Sequence, residues 1–187
     1  MKLFIIENSE EGKFLQRLVN FLDIKCEFES KTEKNFLKSD LLGKCVFKKL
    51  PLLELEKGVY VNSLHAIIRA LIESTENRNM LGKTPASRAQ LDQFVHHLVS
   101  LDEKVAAVQP TEDKEKIAEN KLQLVEHLKA IDEHLKFETF LAGTYITFAD
   151  FSLLFSTLRA KELVGPKFGQ ELVQLERLVK YFGDTGF

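Results

Sequence analysis

The sequence has few residues of the kinds that mark extracellular, metal-binding or membrane-spanning proteins. It contains two cysteines, Cys26 and Cys45, and no tryptophan among its 187 residues. Two cysteines cannot build a disulfide framework or a cysteine-rich zinc site, so we expect reduced thiols, no metal and a cytoplasmic location. No stretch of the chain approaches the roughly 20 consecutive apolar residues of a transmembrane helix.

An excess of one charge is also lacking, because 26 basic and 28 acidic residues give a net charge of −2. A chain so close to neutral has no overall field that would attract nucleic acid or a membrane, and we expect no membrane partner. Apolar residues make up 44% of the sequence, which suffices for a core in one domain or two small ones. Residues 183–187 carry no clear ending signal, so we expect the chain to be part of a longer protein.

The N-terminal stretch has the pattern of a β-α-β unit. Residues 2–6 are an apolar run typical of a buried parallel strand. Asn8 or Ser9 can cap an amphipathic helix whose apolar positions run from 14 to 22. Residues 23–28 then predict a second strand, parallel to the first.

A polar, lysine-rich stretch follows over residues 29–49, with a short helix predicted for 35–42 and ended by Gly43. Lys44, Lys48 and Lys49 could contact RNA phosphates. The simpler interpretation of these lysines is a solvated connection.

Residues 50–61 predict a β-hairpin that turns at Gly58, with Pro51 at the start of its first strand. Asn62 or Ser63 can then cap a helix that carries apolar residues up to Leu71. The order of elements predicts a thioredoxin-like domain over residues 1–74.

The remainder of the chain has a helical pattern. Residues 75–86 are polar, contain glycine and proline, and predict a linker. An all-helical domain is predicted for 87–187, with a helix that restarts around Pro110 and a last amphipathic helix over 170–182.

The sharpest local signal in the chain is the start of an apolar helix at Thr147. Thr147 and Asp150 have the spacing of a capping box, and Ile146 and Phe151 have that of a hydrophobic staple. A helix this apolar is expected to be buried on most sides, so its first N–H groups need protein acceptors.

Two groups of residues resemble the glutathione transferase family. Leu141-Ala142-Gly143 with Thr147-Phe148-Ala149-Asp150 is similar to the capping motif of the central helix in the transferase C-terminal domain. Leu50-Pro51-Leu52-Leu53, Gly58 and Asn62-Ser63-Leu64-His65-Ala66-Ile67 are similar to the second half of its N-terminal domain. The resemblance implies the glutathione transferase fold, α/β plus all-α, in which a thioredoxin-like half precedes a helical bundle.

The same resemblance implies where glutathione would bind. In the family the proline is usually cis, and a Glu/Gln-Ser-x-Ala-Ile segment grips the γ-glutamyl end of glutathione. Leu50, Pro51, Asn62 and Ser63 would be the residual positions of that site. Asn62 stands where the family has Glu or Gln, and its side chain is one methylene shorter.

A transferase also needs a hydroxyl or thiol donor just after the first strand, which lowers the pKa of the glutathione thiol. Ser9 is the one candidate among residues 7–12, and serine is equally a good helix cap. Three glutamates in this segment would disfavour a thiolate. Ser9 therefore has two interpretations, catalytic donor and cap.

Finer details resemble the translation-associated members of the family: the domain in front of eukaryotic methionyl-tRNA synthetase and the gamma subunit of the elongation factor that loads aminoacyl-tRNA. The segments that carry this resemblance are residues 1–4, 49–55, 130–135 and 140–143. It implies a non-catalytic module, without cofactor, that docks to similar domains. A homo- or heterodimer is a possible form of this association, and the lysine-rich stretch could add a weak tRNA contact.

The alternative is an active transferase of the Ser type, which conjugates glutathione to electrophiles.

Overall fold

The computed structural model describes residues 1–108 and 114–187, and the chain divides into two compact units. The first unit comprises Met1–Arg78 together with Phe187, and the second comprises Asn79–Gly186. None of the described helices combines the length and apolarity needed to cross a bilayer.

The N-terminal unit contains one four-stranded sheet. Its strands are β1 (Lys2–Ile6), β2 (Glu27–Lys31), β3 (Leu52–Glu56) and β4 (Val59–Asn62), and its helices are α1 (Glu10–Phe21), α2 (Glu33–Leu37), α3 (Leu41–Lys44) and α4 (Leu64–Glu73). The strand order is β2-β1-β3-β4, with β1 parallel to β2 and the other pairs antiparallel. This is the predicted thioredoxin-like arrangement.

The sheet is centred on the apolar run in β1. Leu3 is fully buried and pairs with Phe28 on β2 and Leu53 on β3. The apolar faces of α1 and α4 are also buried, because both helices repeat their apolar residues at helical spacing. The hairpin turns at Gly58, whose φ of 87° lies in the region that glycine adopts most readily.

The second strand was predicted for residues 23–28, but β2 begins at Glu27. The first residues of the predicted range belong instead to a hydrogen-bonded turn at the end of α1. The N–H of Asp23 donates to Asn20 and that of Ile24 donates to Val19. Asp23 has a φ of 51°, which suits a helix end and not a strand.

The predicted helix 35–42 is wrong in its bounds, since two short helices occupy this stretch. Thr32 caps α2 by accepting the N–H of Asn35 at 3.3 Å. The Ser39 hydroxyl donates to the Phe36 carbonyl at 2.7 Å and closes that helix. Gly43, predicted to end the helix, lies inside α3.

The described part of the C-terminal unit is helical. After a 3₁₀ turn at Arg78–Leu81 its helices are α5 (Pro85–Val108), α6 (Lys114–His134), α7 (Phe148–Val164), α8 (Phe168–Glu171) and α9 (Val173–Asp184). The predicted restart at Pro110 lies outside the described residues. Helix α7 is buried along most of its length and packs against α5, α6 and α9, so a thioredoxin-like half followed by a helical half is confirmed.

The predicted last helix, 170–182, is broken at Leu172 into α8 and α9. The carboxylate of Asp132 on α6 accepts the N–H groups of Gln174 and Leu175 at 2.8 and 2.9 Å and caps α9. Arg177 on α9 donates in return to the carbonyl of Thr139, beyond the end of α6, at 3.0 Å. Two charged side chains therefore connect the C-terminal end of α6 to the first half of α9.

Candidate functional site

Ser9 lies in the turn between β1 and α1, at the position that the transferase resemblance gives to a catalytic donor. Its hydroxyl donates to the carbonyl of Ile6 at 2.9 Å and accepts the N–H of Gly12 at 3.1 Å. A hydroxyl carries one proton, and here that proton is directed to the main chain. Ser9 is therefore a helix cap in this structure, with no second proton to offer a sulfur.

The absence of a side chain at Gly12 leaves room for the Ser9 hydroxyl in this position. A Cβ atom built on Gly12 would lie 2.8 Å from the Ser9 hydroxyl and 3.2 Å from Ile5. Glu10 and Glu11 occupy the first turn of α1, where negative charge is favourable at the helix N-terminus. Two of the three glutamates that would disfavour a thiolate thus have a structural role.

The side chain of Asn62 is hydrogen-bonded to the loop that leads into β3. Its Nδ2 group donates to the carbonyls of Lys49 and Pro51, both at 2.7 Å. Its Oδ1 atom accepts the N–H of Phe47 at 3.1 Å, whereas the single proton of the Cys45 thiol lies closer to the Lys49 carbonyl, at 2.9 Å, than to Oδ1, at 3.3 Å. Both amide protons of Asn62 are thus donated within the loop, and neither remains for a bound peptide.

The Leu50–Pro51 peptide bond is cis, as the resemblance implies for this position. Ser63 follows β4 with a φ of 127°, and its hydroxyl makes no capping bond to α4. In the family segment alanine stands two residues after serine. Counted back from Ala66, this places Leu64 at the serine position and Ser63 at that of Glu or Gln. In this alignment the family hydroxyl is replaced by the largely buried Leu64.

The three lysines predicted for RNA differ in their surroundings. Lys44 places its ammonium 5.3 Å from the centre of the Tyr60 ring, and the Tyr60 hydroxyl donates to Glu54 at 2.9 Å. The hydrogen bond with Tyr60 raises the pKa of Lys44. Lys48 and Lys49 are exposed, and neither has an ion-pair partner in the described parts of the chain.

The capping residues of α7 form a closed network around the carboxylate of Asp150, which is fully buried. Asp150 accepts the N–H of Leu141 at 2.8 Å, the N–H of Thr147 at 2.8 Å and the Thr147 hydroxyl at 2.7 Å. Burial raises the pKa of Asp150, and these three hydrogen bonds act against that rise. The network holds the loop before α7 and has no exposed reactive group.

The C-terminal unit contains a cavity of about 710 Å³ between α5, α6 and the loop after α6. Its lining includes Phe94 and His134, whose rings lie 5.0 Å apart, and the carboxylate of Glu138. His134 Nε2 lies 3.0 Å from the Leu141 carbonyl, which can only accept, so this nitrogen carries the proton. No group of three or more metal-ligating side chains occurs within 1–108 and 114–187.

His127 and His134 on α6 both make ring contacts with α5. The rings of His127 and His97 are 5.3 Å apart across α5 and α6. Burial is the main cause of a lowered pKa at His127, and the positive charge of Lys104 adds to it, while Glu126 acts in the opposite sense.

A pH dependence follows from this lowered pKa. Since the folded chain holds His127 neutral more strongly than the unfolded chain does, the stability due to this group is present above about pH 6.5. It is lost as the pH falls through the lower, folded value. We expect the melting temperature of His127→Gln to fall less than that of the parent chain between pH 7.5 and 5.5. The difference is small, because the ring is partly exposed.

The exposed His96 on the same pair of helices gives the matched control for that measurement. His96→Gln should melt with the pH dependence of the parent chain. If His127→Gln retains the full pH dependence, the acid sensitivity arises from other groups.

Two residues that organise the C-terminal unit, Asp132 and Arg177, were missed in the sequence. A signal for Asp132 was present, since it lies four residues after the buried Leu128 and one after the buried Ile131. A charged residue on the buried face of a helix usually has a specific partner. The partner itself lies 42 residues away and has no local signal.

Comparison with protein-family models matches residues 77–182 to the family described as "Glutathione S-transferase, C-terminal domain". No curated protein matches the chain. The matched range covers more than half of the chain and includes the whole capping network of α7.

Solved structures of glutathione transferases are similar over almost the whole chain. One from Pichia kudriavzevii is 21% identical and has a TM-score of 0.80, with 99% of this chain and 92% of the other covered. A family member from Pseudomonas fluorescens with two glutathione bound is 15% identical, with a TM-score of 0.80 and coverage of 98% and 88%. Rat hPGDS complexed with a quinoline is 23% identical, with a TM-score of 0.74 and coverage of 96% and 89%.

At these sequence identities the structural similarity supports a shared fold only, and an activity has to be argued from the residues of the site. The fold of both units agrees with that of the solved glutathione transferases, and the family model matches the helical segment 77–182. The chain therefore belongs to the glutathione S-transferase C-terminal domain family.

Proposed function

We propose that this chain is a glutathione transferase-fold module that does not activate a thiol and acts by association with other proteins. The observation that carries the proposal is the hydrogen bond from the Ser9 hydroxyl to the Ile6 carbonyl, with 2.9 Å between the two oxygens. Thiol activation requires a proton donated to the sulfur, and no tyrosine or cysteine in residues 7–12 could replace Ser9.

The occupied side chain of Asn62 supports the same proposal. A side chain that grips the γ-glutamyl end of glutathione must have free hydrogen-bonding capacity, and Asn62 uses both of its donors and one acceptor position within the loop. When the family segment is aligned on Ala66, Leu64 takes the position of the family serine and has no hydroxyl.

The partner that we propose is a translation component with a similar domain, either an aminoacyl-tRNA synthetase or an elongation-factor subunit. This step is supported by the resemblance of residues 1–4, 49–55, 130–135 and 140–143 to those domains. Its test is pairwise reconstitution of the purified chain with such domains from the same cell. Association of one pair at micromolar concentration is expected, and failure of every pair would contradict this step.

A second candidate is a Ser-type glutathione transferase, and the similar structures favour it over an association module. They are mostly glutathione transferases, one with glutathione bound, and this chain keeps the cis Leu50–Pro51 bond. In this case Ser9 would have to release Ile6 and turn toward the sulfur of glutathione.

Turnover of a chromogenic electrophile with glutathione separates the two candidates. We expect no turnover by the parent chain, and Ser9→Ala should lower the free energy of unfolding by about 1 kcal/mol through loss of the cap. Ser9→Thr, which can still cap, is the matched control. Turnover by the parent chain that Ser9→Ala abolishes, with the fold intact by circular dichroism, would establish the enzyme instead.

A further inference from the structure

Two histidine rings, one on α5 and one on α6, lie against each other in the C-terminal unit. The ring centres of His97 and His127 are 5.3 Å apart, and the ring planes are inclined at 61°. Two imidazoles that bind one tetrahedral Zn²⁺ through bonds of about 2.0–2.1 Å have ring centres about 5 Å apart. The separation of the two rings therefore meets the first condition for two ligands of a single ion.

His97 also has a ring nitrogen without a partner. Its Nε2 atom is buried and has no hydrogen bond within residues 1–108 and 114–187. A buried polar atom without a partner is unfavourable, and an ion or a water molecule is a usual explanation for one. His97 lines the cavity of about 710 Å³ between α5 and α6, which leaves room beside the ring for an ion and its water ligands. His134 lines the same cavity, but its Nε2 atom is already bonded to the Leu141 carbonyl.

The protonation state of the second ring also suits a metal. An imidazole must be neutral to bind a cation, and burial lowers the pKa of His127, which favours the neutral ring. The positive charge of Lys104 opposes a cation at His127, and the negative charge of Glu126 favours one. Because these two charges act in opposite senses, the imidazole nitrogens decide the affinity.

We propose that His97 and His127 bind one divalent transition-metal ion of the zinc type, with water completing its coordination. Zn²⁺ takes imidazole nitrogens as ligands, whereas Mg²⁺ and Ca²⁺ prefer oxygen. Two protein ligands are fewer than the three or four of catalytic and structural zinc sites, so we expect a dissociation constant in the micromolar range. The site belongs to the C-terminal unit and uses neither Ser9 nor Asn62, so it goes beyond the proposed function and does not depend on it.

Isothermal titration calorimetry of the whole chain with ZnCl₂ at pH 7.5, after removal of metal with EDTA, measures this binding. One ion per chain is expected. At a free Zn²⁺ concentration about 100 times the dissociation constant, mass action shifts the folding equilibrium about 100-fold, so the melting temperature should rise by several degrees. Mg²⁺ at the same concentration should give neither heat of binding nor a rise in melting temperature.

Substitution of either histidine should remove half of the protein ligands. His97→Gln and His127→Gln should each weaken Zn²⁺ binding at least about tenfold. Lys104→Gln should tighten binding about two- to fivefold, because it removes a positive charge that opposes a cation at His127. A gain of this kind is not expected if the two rings only pack against each other.

Matched controls exist in the same chain. His96 is an exposed histidine next to His97, and Cys26 is a partly exposed thiol of the kind that zinc also binds. His96→Gln and Cys26→Ser should leave the dissociation constant within about twofold of the parent value. Nuclear magnetic resonance of the histidine rings needs no variant: Zn²⁺ should shift the signals of His97 and His127 and leave those of His96 unchanged.

Several results would overturn the proposal. They are a dissociation constant for Zn²⁺ above about 1 mM, equal losses with His96→Gln and His97→Gln, or loss of binding in Cys26→Ser. Ring signals of His97 and His127 that do not move with Zn²⁺ would equally reject the site. One ion per two chains, with a dimer in sedimentation, would place the ligands on two copies and overturn a site within one chain. These outcomes are independent of the turnover assay, so the metal site and the non-catalytic proposal can fail separately.

Discussion

Replacing Asp150 with alanine is expected to lower the free energy of unfolding by about 3–5 kcal/mol. The carboxylate is fully buried and accepts three hydrogen bonds, from the N–H of Leu141 and from the N–H and hydroxyl of Thr147. Each donor left without an acceptor away from water costs about 1–3 kcal/mol. Urea unfolding followed by circular dichroism at 222 nm measures the loss in the helical unit.

A conservative variant separates the role of the acceptor from that of side-chain volume. Asp150→Asn keeps the shape but offers one oxygen and turns an NH₂ group toward donors, so we expect a loss of about 2 kcal/mol. Asp184 is exposed at the end of α9, and Asp184→Ala should change stability by less than about 0.5 kcal/mol. A loss below 1 kcal/mol for Asp150→Ala would show that water or a rearranged loop satisfies the donors.

The start of α7 was readable in the sequence because most of its contacts are local. Thr147 and Asp150 are three residues apart, so their types and spacing alone predict the bonds between them. The third bond, from Leu141 to Asp150, spans nine residues and depends on how the loop returns to the helix. Local chemistry therefore predicted the cap but not the full set of donors that makes Asp150 indispensable.

The order of strands and helices was likewise predictable, because the apolar periods of β1, α1, α4 and α7 match their burial. The break at Leu172 was not, because α9 is capped by Asp132 from another helix. The end of α1 was also missed, since Asp23 adopts a positive φ that its residue type permits but does not require. Such errors arise where a distant contact or one backbone angle decides between two local structures.

The candidate site shows the same division. The sequence could place Ser9 after β1 but could not tell a cap from a catalytic donor, since both need a serine hydroxyl at that position. The direction of one hydroxyl proton, toward Ile6, distinguishes the two roles. Asn62 was interpreted as a shortened ligand for glutathione, whereas the hydrogen-bond partners of its amide all lie between Phe47 and Pro51, before β3.

Asn62→Ala is the second substitution from which we expect a large effect, about 2–4 kcal/mol in the free energy of unfolding. Three hydrogen bonds are lost at once, each with a net value of about 0.5–1.5 kcal/mol. The expected loss in the free energy of unfolding is less than the largest possible sum, because water can replace part of the lost hydrogen bonds in the loop. The N–H of Phe47 loses its acceptor, so its hydrogen exchange should accelerate more than that of the amides in β1.

Asn62→Gln tests whether the length of the side chain matters more than its chemistry. Glutamine is the residue type of the transferase family at the position first aligned with Asn62, but its amide lies one methylene further from β4 and cannot meet the same three partners. We therefore expect Asn62→Gln to lose stability and to gain no affinity for glutathione in calorimetry. Asn20 is exposed on α1, and Asn20→Ala should leave both the stability and the exchange of Phe47 unchanged. Binding of glutathione by Asn62→Gln at the stability of the parent chain would contradict this role. It would show that the loop does not depend on the hydrogen bonds of Asn62 and that this position belongs to a glutathione site.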